Sequence, residues 1–366
     1  MEKTPHSLQV FDNQDLAKFI ILHLSFIIPY YLCRMKKRLK IGVLGTGHLG
    51  KIHLRCIMAS DILELVGFYD ADTQRAEMIA NELNIKAFDT QDALIEASEA
   101  IDIVTPTVTH FELAKAAILR GRSVFIEKPL THTVAEAETL VALKNEKNVT
   151  VQVGHVERFN PAFLSLDGAI ASIDPVFIEA HRLATFNPRG TDVSVVLDLM
   201  IHDIDLVLHL VGSEVKAIHA SGVSVVSASP DIANARIEFE NGCVANLTAS
   251  RLSLKQMRKV RLFQRDAYIS LDFLEKNSQI IRLLDKNVAD TEGVLSGMEI
   301  ETQKGPKVID IKMPEPAAVN AIQMELETFA ASIFNNTPPL VTIEDGYRAL
   351  KVAHQIIEAI GDTTLS

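Results

Sequence analysis

Lys40-Ile-Gly-Val-Leu-Gly-Thr-Gly-His-Leu-Gly50 decides the fold. An apolar run of strand length leads into Gly45-Thr46-Gly47-His48-Leu49-Gly50, a helix-compatible stretch follows, and the next apolar run ends at Asp70. Glycines at this spacing between a strand and a helix, with a carboxylate at the end of the second strand, form a dinucleotide-binding fingerprint. Gly45 permits the tight turn off the strand, Gly47 lets the backbone approach a pyrophosphate, and Gly50 lets the new helix pack closely. Free backbone N–H groups over Thr46, His48 and Leu49, with the positive end of the helix behind them, would then face the phosphates. Asp70 is placed to accept hydrogen bonds from a ribose hydroxyl and to repel a 2′-phosphate. That favours NAD over NADP as cofactor, with Asp72 a neighbour able to share the role.

Working outward, 366 residues give room for two domains of ordinary size. A hydrophobic content of 48% can fill two cores, and a formal charge of −11 argues against nucleic acid or an anionic membrane surface as main partner. Cys33, Cys56 and Cys243 lie far apart in sequence, with no metal-type pair and no disulfide framework. They suggest a reducing compartment, and a cytoplasmic enzyme without metal is expected. Residues 1–34 hold an apolar run from Phe19 to Cys33, followed by Arg34-Met-Lys-Lys-Arg38. The run is shorter than the roughly 20 residues that span a bilayer. It reads as an appendage, or as an artefact of where the chain is taken to start, with a membrane anchor as the competing reading.

Residues 35–154 alternate strand-like and helix-like segments, as a doubly wound parallel sheet requires. Helices are predicted over 72–84, 110–120 and 133–147, and strands over 100–105 and 123–127, with 150–154 read as a sixth strand. Residues 155–366 read as an α+β domain for substrate and oligomer contacts. Its pattern predicts one long helix over 195–211, then a large, mainly antiparallel sheet with a hairpin turn at Asn241-Gly242. Helices over 315–335 and 343–360 close the chain and are free to pack back on the first domain.

Two further motifs carry chemistry. Glu127-Lys128-Pro129 ends a strand of the first domain, where ligands of open α/β sheets bind. A lysine there can hydrogen-bond a substrate hydroxyl and favour the alkoxide as hydride leaves. In Asp198-Leu-Met-Ile-His202-Asp-Ile-Asp205, Asp198 and His202 stand four apart, and Asp205 and His209 continue the stripe. The spacing suits a general base oriented by a carboxylate; a metal site or a purely polar helix face remain open on spacing alone.

Together, Gly45-x-Gly47-x-x-Gly50, Thr105-Pro106-Thr107 with His110, Glu127-Lys128-Pro129 and Asp198-x-x-x-His202 resemble the glucose–fructose oxidoreductase / inositol dehydrogenase / rhizopine catabolism (Gfo/Idh/MocA) family, from about residue 38 to the C-terminus. The resemblance implies a catalytic set of Lys128, Asp198 and His202. It adds Thr105, Pro106, Thr107, His110 and Glu127 to the cofactor contacts, and implies a homo-oligomer, dimer or tetramer, built on the open sheet. Gly154-His-Val-Glu-Arg158-Phe-Asn160-Pro161 looks like a segment of the members that oxidise nucleotide sugars, such as UDP-N-acetylglucosamine 3-dehydrogenases. In that reading Arg158 and Asn160 lie near the sugar or its diphosphate. Gln264-Arg265-Asp266-Ala267 departs from the family's glycine-rich turn. The expected function is NAD-dependent oxidation of a ring hydroxyl of a sugar or nucleotide sugar. An NAD-dependent glycosidase, an inositol dehydrogenase and a non-catalytic NAD- or sugar-binding regulator are the alternatives.

Overall fold

The alternation after Leu39 folds into a parallel sheet. The computed structural model describes residues 37–166, 170–187, 193–287 and 297–361, so the expectations for residues 1–34 lie outside the described residues. The first domain runs β1 (Leu39–Leu44), α1 (His48–Ala59), β2 (Leu63–Tyr69), α2 (Thr73–Leu83), α3 (Gln91–Ala97), β3 (Ala100–Ile103), α4 (His110–Leu119), β4 (Ser123–Glu127), α5 (Val134–Lys147) and β5 (Val151–Gly154). All neighbours are parallel in the order β2-β1-β3-β4-β5. Every residue of β3 and β5 is buried, as a sheet covered on both faces demands. The chain direction across the sheet switches between β1 and β3, which opens a crevice at the strands' carboxyl ends. One expectation is corrected: 150–154 forms the fifth and last strand of this sheet. Beyond β2 only a single bridge, Phe68 to Ala87, stands where a further strand would be.

The second domain is a nine-stranded sheet in the order β13-β14-β12-β11-β10-β6-β9-β8-β7. Its strands are β6 (Phe177–Leu183), β7 (Val215–Val223), β8 (Ile232–Phe239), β9 (Val244–Ser250), β10 (Met257–Phe263), β11 (Ala267–Asp272), β12 (Asn277–Asp285), β13 (Met298–Thr302) and β14 (Gly305–Lys312). Only β6 and β9 pair in parallel. One face packs on α7 (Ile201–Val211) and α9 (Ile343–Ile360): Ile178, Ile237, Leu247 and Val260 share a core with Ile204, Val207, Val352 and Ile356. The short α6 (Pro161–Leu164) precedes this sheet.

The long helix expected over 195–211 is divided. Val196–Met200 form a π-helical turn, and α7 begins only at Ile201. The helix expected from 315 starts instead at Ala321, as α8 (Ala321–Asn335). Pro314 and Pro316 cannot donate to a helical ladder, and Asn320 caps the late start by accepting from the N–H groups of Ile322 and Gln323.

Both closing helices return to the first domain. Leu326, Phe329 and Ala330 of α8 share a core with Ile41, Leu54, Ile57 and Phe125. The α9 helix crosses β5 so closely that a Cβ on Gly346 would sit 2.6 Å from a Val153 methyl. This seating sets the π-helical turn of the second domain over the end of β4. Among the described residues no helix is long and apolar enough to cross a membrane.

Candidate active site

The glycines of the fingerprint do different work. Gly45 has φ +91°, and a Cβ there would lie 2.7 Å from the Val104 carbonyl oxygen. A Cβ on Gly50 would clash with the Gly45 oxygen, so α1 packs directly on the turn. Around Gly47 a Cβ would meet nothing within 4 Å. Gly47 and His48 are exposed, and Gly47 caps α1 with no side-chain hydrogen bond. Open space against uncapped helical N–H groups fits an anion such as a pyrophosphate.

Thr46 is corrected: it is 2% exposed and gives both its N–H and its hydroxyl to Asp70 Oδ2, each at 2.8 Å. It braces the turn from within and does not offer its N–H to a phosphate. Asp70 Oδ1 accepts from the Asp72 N–H at 2.9 Å. Burial alone would raise the Asp70 pKa, but these hydrogen bonds, with the Arg75 guanidinium 3.3 Å away, hold it below the ordinary carboxylate value. Asp72 caps α2 through the Arg75 N–H and pairs with the Arg75 side chain at 3.0 Å.

Thr105, Pro106 and Thr107 follow β3 into a 3₁₀ turn at the mouth of the crevice, partly or fully exposed. His110 is buried behind them. Its ring nitrogens lie 2.9 Å from the carbonyls of Pro129 and Thr105, so it straps the β3 loop to the β4 loop. Glu127 is buried too. Its Oε2 accepts the Lys128 N–H at 3.2 Å, and its Oε1 lies 3.2 Å from His53 Nε2. His53 Nδ1 in turn meets Asp102 Oδ2 at 2.9 Å. Burial would strip His53 of its proton, but the carboxylates of Asp102 and Glu127, one on each ring nitrogen, raise its pKa well above the usual value. Sequence reasoning passed over His53 and Asp102. The signal was there: an aspartate inside the apolar run Ala100–Ile103, and a histidine on the buried face of α1.

Lys128 precedes a cis peptide bond to Pro129 and points across the crevice. Its Nζ donates to the Asp198 carbonyl at 2.6 Å and lies 3.5 Å from Asp198 Oδ1. Asp198 therefore pairs with Lys128 and makes no hydrogen bond to His202, which corrects the expected carboxylate–imidazole pair. The reason is local: a π-helical turn takes more residues per rotation, so positions four apart no longer stack as in an α-helix. His202 Nδ1 is buried without a protein partner. Burial, then the positive charges of Lys128 and Arg182, push the His202 pKa well below its ordinary value, leaving the ring neutral. His155 lies beside this group, 1% exposed, with neither ring nitrogen partnered by protein.

Arg158 and Asn160 are turned into the protein interior. Arg158 is 7% exposed, and its guanidinium forks Asp205 at 2.8 and 2.6 Å while meeting His209 Nδ1 at 2.8 Å. Asn160 donates to Glu157 and to the Phe273 carbonyl, and its oxygen caps α6. Both side chains thus point inward and are held by protein partners. A parallel knot joins Arg182 to Asp203 at 2.8 Å and to Glu157 at 2.7 Å. These buried charges hold the second-domain helix in place beneath the site. Among the described residues no cluster of His, Cys, Asp or Glu is arranged to hold a metal ion.

Comparison with known proteins agrees with this architecture. Residues 39–155 match the profile of an oxidoreductase family with an NAD-binding Rossmann fold, and residues 176–268 match the GFO/IDH/MocA C-terminal domain. A UDP-N-acetylglucosamine 3-dehydrogenase of Acidithiobacillus ferrooxidans is 36% identical over 322 residues, covering 88% of this chain and 97% of the relative. A solved structure of that enzyme superposes with a TM-score of 0.79, at 35% identity and over 88% of this chain and 97% of its own. A scyllo-inositol 2-dehydrogenase (NAD(+)) of Bacillus subtilis is 30% identical over 60% of this chain and 69% of its own length.

Proposed function

The chain belongs to the Gfo/Idh/MocA family and is a dehydrogenase with an NAD-binding Rossmann domain, and from that premise we propose that it oxidises a ring hydroxyl of a nucleotide sugar through Lys128 and His202. One observation carries the reading. The strand-end lysine of one domain and the helical Asp198 and His202 of the other converge on the crevice where the fingerprint loop opens. The likeness to the Acidithiobacillus enzyme over nearly its full length supports a nucleotide sugar as substrate.

NAD, when bound, accepts the hydride; the chain's own groups do the rest. Uncapped N–H groups at the start of α1 would hold the pyrophosphate, and Asp70 at the end of β2 would take the adenosine ribose, a choice that favours NAD over NADP. The neutral His202 takes the hydroxyl proton on Nε2, since its Nδ1 is enclosed. Lys128, held in line by Asp198, donates a hydrogen bond to the same oxygen and stabilises developing alkoxide character. The hydroxyl proton ends on the imidazole and the carbinol carbon becomes a ketone carbon as its hydride leaves for the nicotinamide that would be bound.

The reading includes a homo-oligomer, dimer or tetramer, and a cytoplasmic enzyme. The sheet face turned away from α7 and α9 carries Phe177, Phe263 and Tyr268 in successive ring contact at 5.9 and 5.0 Å, with Leu283 and Ile311 exposed nearby. An apolar face of this kind is suited to burial against a second copy.

Lys128→Met and His202→Ala test the assignment. With UDP-N-acetylglucosamine and NAD, each variant should lose at least about 100-fold in kcat while retaining NADH binding, read by fluorescence titration. Wild-type turnover in both variants would sink the assignment. Net glycoside cleavage without NADH formation would replace it with the glycosidase alternative.

A further inference from the structure

With Arg158 in the core, the anionic part of a nucleotide sugar needs another partner. Among the described residues, three arginines near the site are already engaged. Arg158 and Arg182 are locked in their carboxylate knots, and Arg251 donates to the Val193 carbonyl at 2.6 Å. A fourth is Arg258, the second residue of β10.

Arg258 lies directly opposite Arg182 in the antiparallel pairing of β10 with β6. Directly opposed residues point to the same face of a sheet, and here that is the face packed on α7, where Arg182 meets Asp203 beside His202. Its backbone is stitched to the segment that crosses from the first domain. The Arg258 carbonyl accepts the Phe273 N–H at 2.8 Å, and the Phe273 carbonyl accepts Asn160 Nδ2 at 3.0 Å. The Arg258 side chain is exposed and forms no ion pair or side-chain hydrogen bond with any described residue. Its charge is nonetheless felt at the site, where it adds to the lowering of the His202 pKa and offsets part of the rise that burial imposes on Asp203.

A chain of net charge −11 has carboxylates to spare, yet none of the described ones is placed on this guanidinium. An uncompensated positive group beside a neutral histidine and a lysine focuses potential that draws in an anion. The planar fork of arginine matches two oxygens of a phosphate, which a free polyol does not offer.

We propose that Arg258 is the anion anchor of the substrate site, taking the diphosphate of a nucleotide sugar and selecting such substrates over free polyols. The inference rests on the nucleotide-sugar reading above and names the residue that enforces it.

The test compares wild type, Arg258→Met and Arg258→Lys, each first shown to melt at the wild-type temperature, which the exposed side chain predicts. Calorimetry measures UDP binding to the NADH-loaded protein, and steady-state assays use UDP-N-acetylglucosamine and, separately, scyllo-inositol. Loss of one charge-assisted contact predicts UDP affinity and the sugar-nucleotide KM weakened by about 10- to 100-fold in Arg258→Met. The loss is expected in KM for the sugar nucleotide and in UDP affinity rather than in kcat, with NADH affinity unchanged and the lysine variant intermediate. Wild-type UDP affinity in Arg258→Met, or no UDP binding by wild type, overturns the proposal. The two readings fail separately. UDP binding lost in Arg258→Met, in a wild type that transfers no hydride, leaves the anchor standing and removes the catalytic reading. Nucleotide-sugar oxidation that ignores Arg258 does the reverse.

Discussion

Replacing Arg158 by methionine tests the internal role of this arginine against the role its sequence context suggests. Methionine keeps much of the aliphatic volume and deletes the guanidinium. Asp205, whose side chain is 1% exposed, then loses both its hydrogen bonds, and His209 loses its 2.8 Å partner. Asp345, which caps α9 and lies 3.8 Å from Arg158, loses a counter-charge. Breaking a buried pair by removing one partner costs about 3–5 kcal/mol, because the other charge is left uncompensated. For a domain of roughly 200 residues that corresponds to a fall in Tm of about 6–20 °C. The companion variant Arg158→Met with Asp205→Leu removes both charges and should recover most of the loss, since apolar pairs often replace buried ion pairs at little cost. Urea unfolding of the wild type, both single variants and the double variant gives the coupling energy directly. The KM for UDP-N-acetylglucosamine, measured on the folded fraction well below the transition, should change little. The reasoning is refuted if Arg158→Met costs under about 1 kcal/mol while raising that KM tenfold or more, which would return the arginine to the substrate.

Asp70→Ser should lower the preference for NAD over NADP by at least about tenfold in kcat/KM and also reduce stability, because Thr46 loses the acceptor for two hydrogen bonds; an unchanged cofactor ratio would remove Asp70 from cofactor choice. The His53 pKa is raised by folding, so the native state binds more protons than the unfolded chain above the ordinary histidine value of about 6.5. Its stabilising contribution is fully present below about pH 6.5 and is lost as pH rises through the folded value. The stability gap between wild type and His53→Gln should narrow from pH 6 to pH 9 in urea unfolding; a gap independent of pH would show that His53 is not charged in the fold.

Which features could be read from the chain follows from the range of the forces that make them. The turn at Gly45 and Gly50 is governed by clashes within one loop, and its sequence carries that information whole. Lys128 at a strand end and His202 on a helix are likewise local, because strand and helix periods fix where such residues emerge. Arg158 and Asn160 show where local reading stops. Their segment has the composition of a phosphate site, but the partners that claim them, Asp205, Phe273 and Asp345, lie 47, 113 and 187 residues further on. Only the tertiary fold shows that this guanidinium is spent mainly on a buried carboxylate. The Asp198–His202 pairing failed for a subtler reason, since spacing was read with an α-helical period and the chain takes a π-helical turn at that point. The change of period is itself informative. It turns Asp198 toward Lys128 and leaves the His202 imidazole without a carboxylate, so that ring is kept neutral by burial and neighbouring cations, and its orientation rests on the helix beneath it. That helix is held by Arg182 on Asp203 and by Arg158 on Asp205, the residues flanking one turn of α7 just after His202. Loosening either knot should therefore affect turnover through the position of His202 before it affects binding of either substrate.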